Sequence, residues 1–158
     1  MKPLATAAQK SANRIDHVVF IVRPENLNSA AERLSAVMDL KFDGPHDDVT
    51  LGIRVLIDWQ AGIELLTPYD PEVATTQVAY LEKHGEGFYR LIFGVTDLER
   101  ALERAREHGL DIGQPMNGLE LNPRWSSEFE RIDEVPVQKP WPGVYLTFGR
   151  IEPRTTPE

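Results

Sequence analysis

One pattern occurs twice in this chain and limits its possible folds more than any other feature. IDHVVFIV (15–22) precedes NLNSAAERLSAVMDLKFDG (26–44), and FYRLIFGV (88–95) precedes TDLERALERAREHGLDIG (96–113). Each copy reads as an apolar strand, a polar cap and an amphipathic helix. In the first helix Leu27, Ala30, Leu34 and Val37 fall near one stripe. In the second, Leu98, Ala101 and Ala105 do so, with Thr96 or Asp97 as N-cap and Gly109 as C-cap. Both strands are apolar at nearly every position, as expected where a helix covers one face and other protein covers the opposite one. Further strands are expected at IRVLIDWQ (53–60) and GIELLTP (62–68) in the first half, and at FERIDEVPV (129–137) and GVYLTFGR (143–150) in the second. Pro71 to Gly85, with Val73, Val78 and Leu81, reads as a linking helix closed by the run GEG.

These elements make an α+β protein of two tandem βαβββ modules whose curled mixed sheet encloses a cavity. The expected boundaries are a flexible leader at 1–13, the first module at 14–70, the linking helix at 71–86, the second module at 87–151 and a flexible tail at 152–158. Strand alternation puts His17, Val19 and Ile21 on one face, and laying the two opening strands over each other matches His17 with Arg90. Arg90 lies among Phe88, Leu91, Ile92, Phe93 and Val95. Its guanidinium does not lose its charge by deprotonation, so burial without a partner costs several kcal/mol. Glu64 is a carboxylate in an apolar run, and Tyr145 and Thr147 share a strand face. His17, Glu64, Arg90 and Tyr145 or Thr147 are therefore candidates to converge in the cavity.

Composition removes several classes of function. The chain has 158 residues, 17 Lys plus Arg against 25 Asp plus Glu, and a net charge of -8. That balance argues against nucleic acid and anionic membrane surfaces as partners. The absence of Cys rules out disulfides, thiolate nucleophiles and Cys-based metal sites. No apolar run approaches the length of a membrane span, and a cytoplasmic location is expected. MKPLATAAQKSANR carries three basic and no acidic residues but lacks the apolar core of a signal peptide, leaving a transit peptide or a disordered leader.

Over about residues 14–150 the chain resembles the vicinal oxygen chelate superfamily, the glyoxalase, bleomycin-resistance and extradiol dioxygenase group. IDHVVFIV followed by IELLTPYDPEVATTQVAYLEKHGEGFYRLIFGVTDLERAL is similar to methylmalonyl-CoA epimerases in order and spacing, most specifically at ELLTP and YLEKHGEG. Members with a metal place a His on the first strand, a Gln or Glu on the strand before the linking helix, a second His opening module two and a Glu on the last strand. The resemblance carries the first two onto His17 and Glu64, which become the metal ligands if a divalent Zn, Co, Mn, Fe or Ni is bound. Arg90 stands at the second His position and Thr147 at the last Glu position. A fixed positive charge about 4 Å from a divalent ion, at an effective dielectric near 20, is worth roughly 8 kcal/mol of repulsion before relaxation. A metal at this position is therefore disfavoured unless Arg90 swings away. The guanidinium can instead meet Glu64, or grip a substrate carboxylate or phosphate.

Two functions follow. One is an isomerase, lyase or dioxygenase-related enzyme on an oxygenated, anionic small molecule such as an acyl-CoA or keto acid. Its catalytic candidates are His17, Glu64 and Arg90, and its substrate-binding candidates are Arg90, Tyr145, Thr147 and Trp125. The other is a metal-free binding protein of the bleomycin-resistance type. The plain readings stay open beside these: a hydrogen-bonded core histidine, a solvated Glu64, a structural ion pair at Arg90, ordinary strand residues at Tyr145 and Thr147. HDD (46–48) reads as a solvated strand end or loop, although Asp47 or Asp48 lies near where an epimerase-like base would fall. Trp125 and Trp141 flank the last strands, as pocket mouth, dimer contact or core cap. Sheet edges and apolar faces left over, together with the pairing common in the superfamily, suggest a homodimer.

Overall fold

The computed structural model describes residues 13–139 and 143–155. The leader up to residue 12, the end of the tail and Trp141 lie outside the described residues. The chain divides into two compact units, one spanning His17–Tyr89 and the other built chiefly from the segment that begins at Arg90. Each carries one βαβββ module, so the α+β class and the tandem arrangement read from the repeat are those observed.

In the first module the elements are β1 (Arg14–Ile21), α1 (Leu27–Met38), β2 (Asp43–Asp48), β3 (Ile53–Asp58) and β4 (Ile63–Pro68), followed by α2 (Thr75–His84). The strand order is β2-β3-β4-β1, with β1 parallel to β4 and the remaining pairs antiparallel. α1 lays Ala30, Ala31 and Leu34 on Phe20, Val22, Leu56 and Leu65. Phe20, Leu65 and Leu56 lie side by side in register, so they mark the helix-covered face of the sheet. Val37, expected on that stripe, is 84% exposed. α1 ends one residue later with Asp39 in a left-handed conformation, and its last turn has already left the sheet. β2 was expected only as a solvated strand end or loop, yet DGPHDD pairs with β3.

α2 is shorter than the expected 71–86 and ends at Gly85, whose φ of 74° is the left-handed value glycine accepts most readily. Just beyond it the Glu86 carboxylate accepts the Arg23 backbone N–H at 2.7 Å and Asn26 Nδ2 at 2.8 Å. These bonds tie the end of the linking segment to the entry of α1.

The second module contains β5 (Gly87–Gly94), α3 (Leu98–Glu107), β6 (Met116–Asn117), a short α4 (Gly118–Leu121), β7 (Phe129–Pro136) and β8 (Leu146–Pro153). Its strand order is β5-β8-β7-β6, and β5 runs parallel to β8 as β1 does to β4. α3 is N-capped by Asp97, whose carboxylate accepts the Arg100 N–H, and it buries Ala101 and Ala105. It stops at Glu107, with His108 closing it and the expected capping Gly109 next, at a φ of 78°. α4 and the 3₁₀ turn Pro123–Ser127 were not foreseen, because a four-residue helix has no periodicity to read.

Candidate functional site

β1 carries His17 with Val19 and Ile21 as its buried set, all three under 4% exposed. The parallel register sets Val19 beside Glu64 and Ile21 beside Leu66, so Glu64 faces the same side as His17. His17 Nε2 lies 3.3 Å from Glu64 Oε2. The imidazole is 2% exposed and the carboxylate side chain 15%, so the pair is nearly dry. Trp59 meets the His17 ring edge-on at 5.5 Å between centroids, a geometry that turns polarised ring hydrogens toward a π face. A carboxylate beside an imidazole fixes its tautomer and stabilises imidazolium, the preparation a proton-transfer residue requires.

The same register sorts the acidic run on β2. Asp47 pairs with Arg54 in the ladder, on the helix-covered side, and Arg54 Nη2 donates to Asp47 Oδ2 at 2.8 Å. The Arg54 hydrogen bond holds the Asp47 carboxyl below the ordinary aspartate value, and Asp47 in turn raises Arg54. Asp47 therefore faces away from His17 and Glu64, and the expectation that it could stand as a base there is corrected. Asp48 faces the His17 side, where its carboxylate accepts the Thr50 and Leu51 N–H groups and forms the following turn.

In the second module Arg90 Nη1 donates to the Leu146 carbonyl and to Thr147 Oγ1, each at 3.0 Å. Its guanidinium carbon lies 5.6 Å from the centre of the Tyr145 ring. Ile92 pairs with Thr147, so alternation puts Arg90 and Thr147 on one side of the sheet. Three of the residues expected to converge, Arg90, Thr147 and Tyr145, are thus together, as are His17 and Glu64. Trp125 is half-buried in the 3₁₀ turn before β7. Trp59 was missed as a neighbour of His17, because a turn residue carries no periodic signal.

The resemblance would put a divalent cation on His17 and Glu64. Those two donors are in contact, but among the described residues no group of three His, Asp or Glu side chains could hold a metal. Catalytic divalent sites of the nitrogen and oxygen type take three protein donors. The donors present therefore do not fit a resident metal, and no step below is routed through one. Among the described residues no helix is long and apolar enough to cross a membrane.

Residues 16–122 match the family described as the Glyoxalase/Bleomycin resistance protein/Dioxygenase superfamily. No curated protein sequence matches the chain. Similar solved structures include hypothetical protein BH1468 from Bacillus halodurans C-125, at 21% identity and TM-score 0.70, covering 94% of this chain and 99% of that one. Methylmalonyl-CoA epimerase from Mycobacterium tuberculosis superposes at 20% identity and TM-score 0.65, covering 96% and 95%. A Streptomyces coelicolor methylmalonyl-CoA epimerase variant in complex with 2-nitronate-propionyl-CoA does so at 20% identity and TM-score 0.63, covering 88% and 97%. At these identities the likeness speaks for the fold.

Proposed function

Because the chain belongs to the Glyoxalase/Bleomycin resistance protein/Dioxygenase superfamily, we propose that it is an enzyme moving a proton on a small, oxygenated, anionic metabolite with an acidic C–H bond beside a carbonyl. Acyl-CoA thioesters and keto acids are the substrate classes meant. The observation that carries this reading is the dry contact of His17 Nε2 with Glu64 Oε2 at 3.3 Å. Glu64 holds the ring of His17 and stabilises its protonated form, and the imidazole takes or returns the proton. Within the second module Arg90 is fixed by Thr147 and the Leu146 carbonyl against Tyr145, and its permanent positive charge suits an anionic group. The acyl-CoA ligands named for similar structures support the thioester class. The reading extends to a homodimer in the cytoplasm, and a monomer mass by light scattering at tens of micromolar would reject the dimer.

The test is solvent exchange. In deuterated buffer the protein should wash deuterium into C2 of 2-carboxyacyl-CoA thioesters or C3 of 2-keto acids, and His17→Gln should slow this by at least about 100-fold, the usual scale of general acid–base catalysis. No exchange by the wild type over either class would reject the reading. A metal-free binder is the second reading, favoured by Arg90 standing where the superfamily's metal-bearing members place a histidine. Ligand-induced melting shifts without any exchange would select it.

A further inference from the structure

The corner between β6 and α4 in the second module carries the dipeptide Asn117–Gly118. The chain has five asparagines, followed in turn by Arg14, Leu27, Ser29, Gly118 and Pro123, so this is its one Asn-Gly sequence. Packing fixes the glycine: a Cβ at Gly118 would stand 2.5 Å from Ile132 Cγ2 and 3.0 Å from Ile132 Cβ, atoms of a branched side chain that is 1% exposed. Capping fixes the asparagine. Asn117 Oδ1 accepts the Leu119 N–H at 3.0 Å and the Glu120 N–H at 3.4 Å, and Asn117 Nδ2 donates to Glu120 Oε1 at 3.2 Å. Two unrelated needs of the fold thus bring these residues together, and a reactivity comes with them.

Glycine has no side chain to shield its backbone nitrogen, and the nitrogen of residue 118 can close a five-membered ring on the amide carbon of Asn117. Asn122 lacks this route, because Pro123 has no N–H. The Asn117 amide must leave its cap before the ring closes, so the reaction runs through opening of the corner. β6 is two residues long and stands at the end of the strand order, with β7 on its one paired side. Short outer pairings of this kind open locally at far less than the free energy of global unfolding.

We propose that Asn117 is a deamidation site whose product weakens the corner that holds it. In the first step the Gly118 backbone nitrogen gives its proton to hydroxide and bonds to Asn117 Cγ. The Cγ–Nδ2 bond breaks, and ammonia leaves with a proton taken from water, which restores the hydroxide. Water then opens the cyclic imide. Cleavage at Cγ gives aspartate at position 117, and cleavage at the backbone carbonyl of residue 117 gives isoaspartate, which routes the main chain through the side chain. One water enters, one ammonia leaves, and nothing is oxidised or reduced. Aspartate keeps the cap, since its carboxylate still accepts both N–H groups, but an anionic oxygen replaces Nδ2 beside Glu120 Oε1, so a hydrogen bond becomes a like-charge contact. Asp133 stands opposite position 117 in the β6–β7 ladder and adds a further negative charge, which Arg131 Nη1 offsets from 3.1 Å. Isoaspartate disturbs more, because it puts an extra backbone atom into that ladder.

The experiment is peptide mapping by mass spectrometry of the full chain held in mildly alkaline buffer for several weeks, folded and in guanidinium chloride. The expected result is a gain of about one mass unit on the peptide carrying Asn117, ahead of Asn13, Asn26, Asn28 and Asn122. Conversion should be at least about tenfold faster in the unfolded sample, where no cap has to open. Asn117→Asp should fold and melt about 1–3 °C below wild type, a small shift because Glu120 is exposed. Adding Glu120→Gln to that variant should recover most of the shift, while Glu120→Gln alone should change little. Asn117 intact after several weeks, or converted after another asparagine, overturns the proposal. Equal rates in the folded and unfolded samples overturn the route through corner opening. Asn117→Asp melting with wild type, or gaining nothing from Glu120→Gln, overturns the weakening by charge.

Discussion

Whether a residue is structural or chemical is decided here by what it faces, and single substitutions can tell the two apart. His17 was legible because alternation in IDHVVFIV marks one buried side, and Glu64 because a carboxylate interrupts an apolar run. Their contact was reached through the resemblance, since a register between distant strands is not written in either one. Taking the carboxylate away from a buried imidazole costs about 1–3 kcal/mol when the ring is left without that partner, so Glu64→Gln should lower unfolding free energy by about that amount. A double-mutant cycle with His17→Gln should return a coupling above about 0.5 kcal/mol by urea denaturation, and additivity would show that the 3.3 Å contact contributes nothing to stability. Glu86 makes a different prediction. The Arg23 backbone N–H, and after it Asn26, hold its carboxyl below the ordinary glutamate value. A carboxyl lowered by folding stabilises the folded state fully above its unfolded value, near 4.3, and loses that contribution as pH falls through the lowered folded value. Wild type should therefore lose more stability than Glu86→Gln between pH 6 and pH 3. Because Glu86 is exposed the difference will be small and will shrink in high salt, and equal losses in the two proteins would show that the bonds to Arg23 and Asn26 are not kept in solution.

Elements with a long period were read from the chain, and those made by backbone geometry were not. The 3.6-residue stripes located α1 and α3, and the apolar runs located β1, β3, β4, β5 and β8. β2 escaped because DGPHDD has no apolar alternation: all six of its residues are polar, proline or glycine, and its only deeply buried one is His46. The one available signal was Gly44-Pro45 between the strand end and a polar run, since glycine and proline inside a strand mark irregular pairing. That signal now supports a test. A Cβ added at Gly44 would stand 2.8 Å from the Val55 carbonyl oxygen, and the φ of 123° is strained for any side chain. Gly44→Ala should cost about 1–3 kcal/mol. It should also raise hydrogen exchange along β2 while leaving α3 and β8 protected, and a wild-type melting temperature would mean that the register shift between Asp43 and His46 is absent in solution.

At the scale of the whole molecule the repeat was the strongest signal in the sequence: two copies of strand, cap and helix were enough to state two βαβββ modules before any contact was known. The chain's charge was equally legible, and its consequence is kinetic. With 17 basic and 25 acidic residues the net charge is -8. An anionic acyl-CoA thioester approaching such a molecule is repelled at long range, even if it is held at short range by a cation such as Arg90. The repulsion reaches about 30 Å at 0.01 M salt and about 8 Å at 0.15 M. Association should therefore quicken as salt is added, the reverse of the usual behaviour for oppositely charged partners. The three Trp residues provide an intrinsic signal for stopped-flow measurement. The association rate constant for a thioester ligand should rise a few-fold between 10 mM and 150 mM salt, while the dissociation rate constant, governed by contacts inside the bound state, changes less. Arg90→Met should invert that partition, raising dissociation by about tenfold or more through loss of a charged contact of about 1.5–3 kcal/mol, and slowing association only slightly. An association rate that falls with salt in the wild type would show that a local basic surface outweighs the net charge on the ligand's approach.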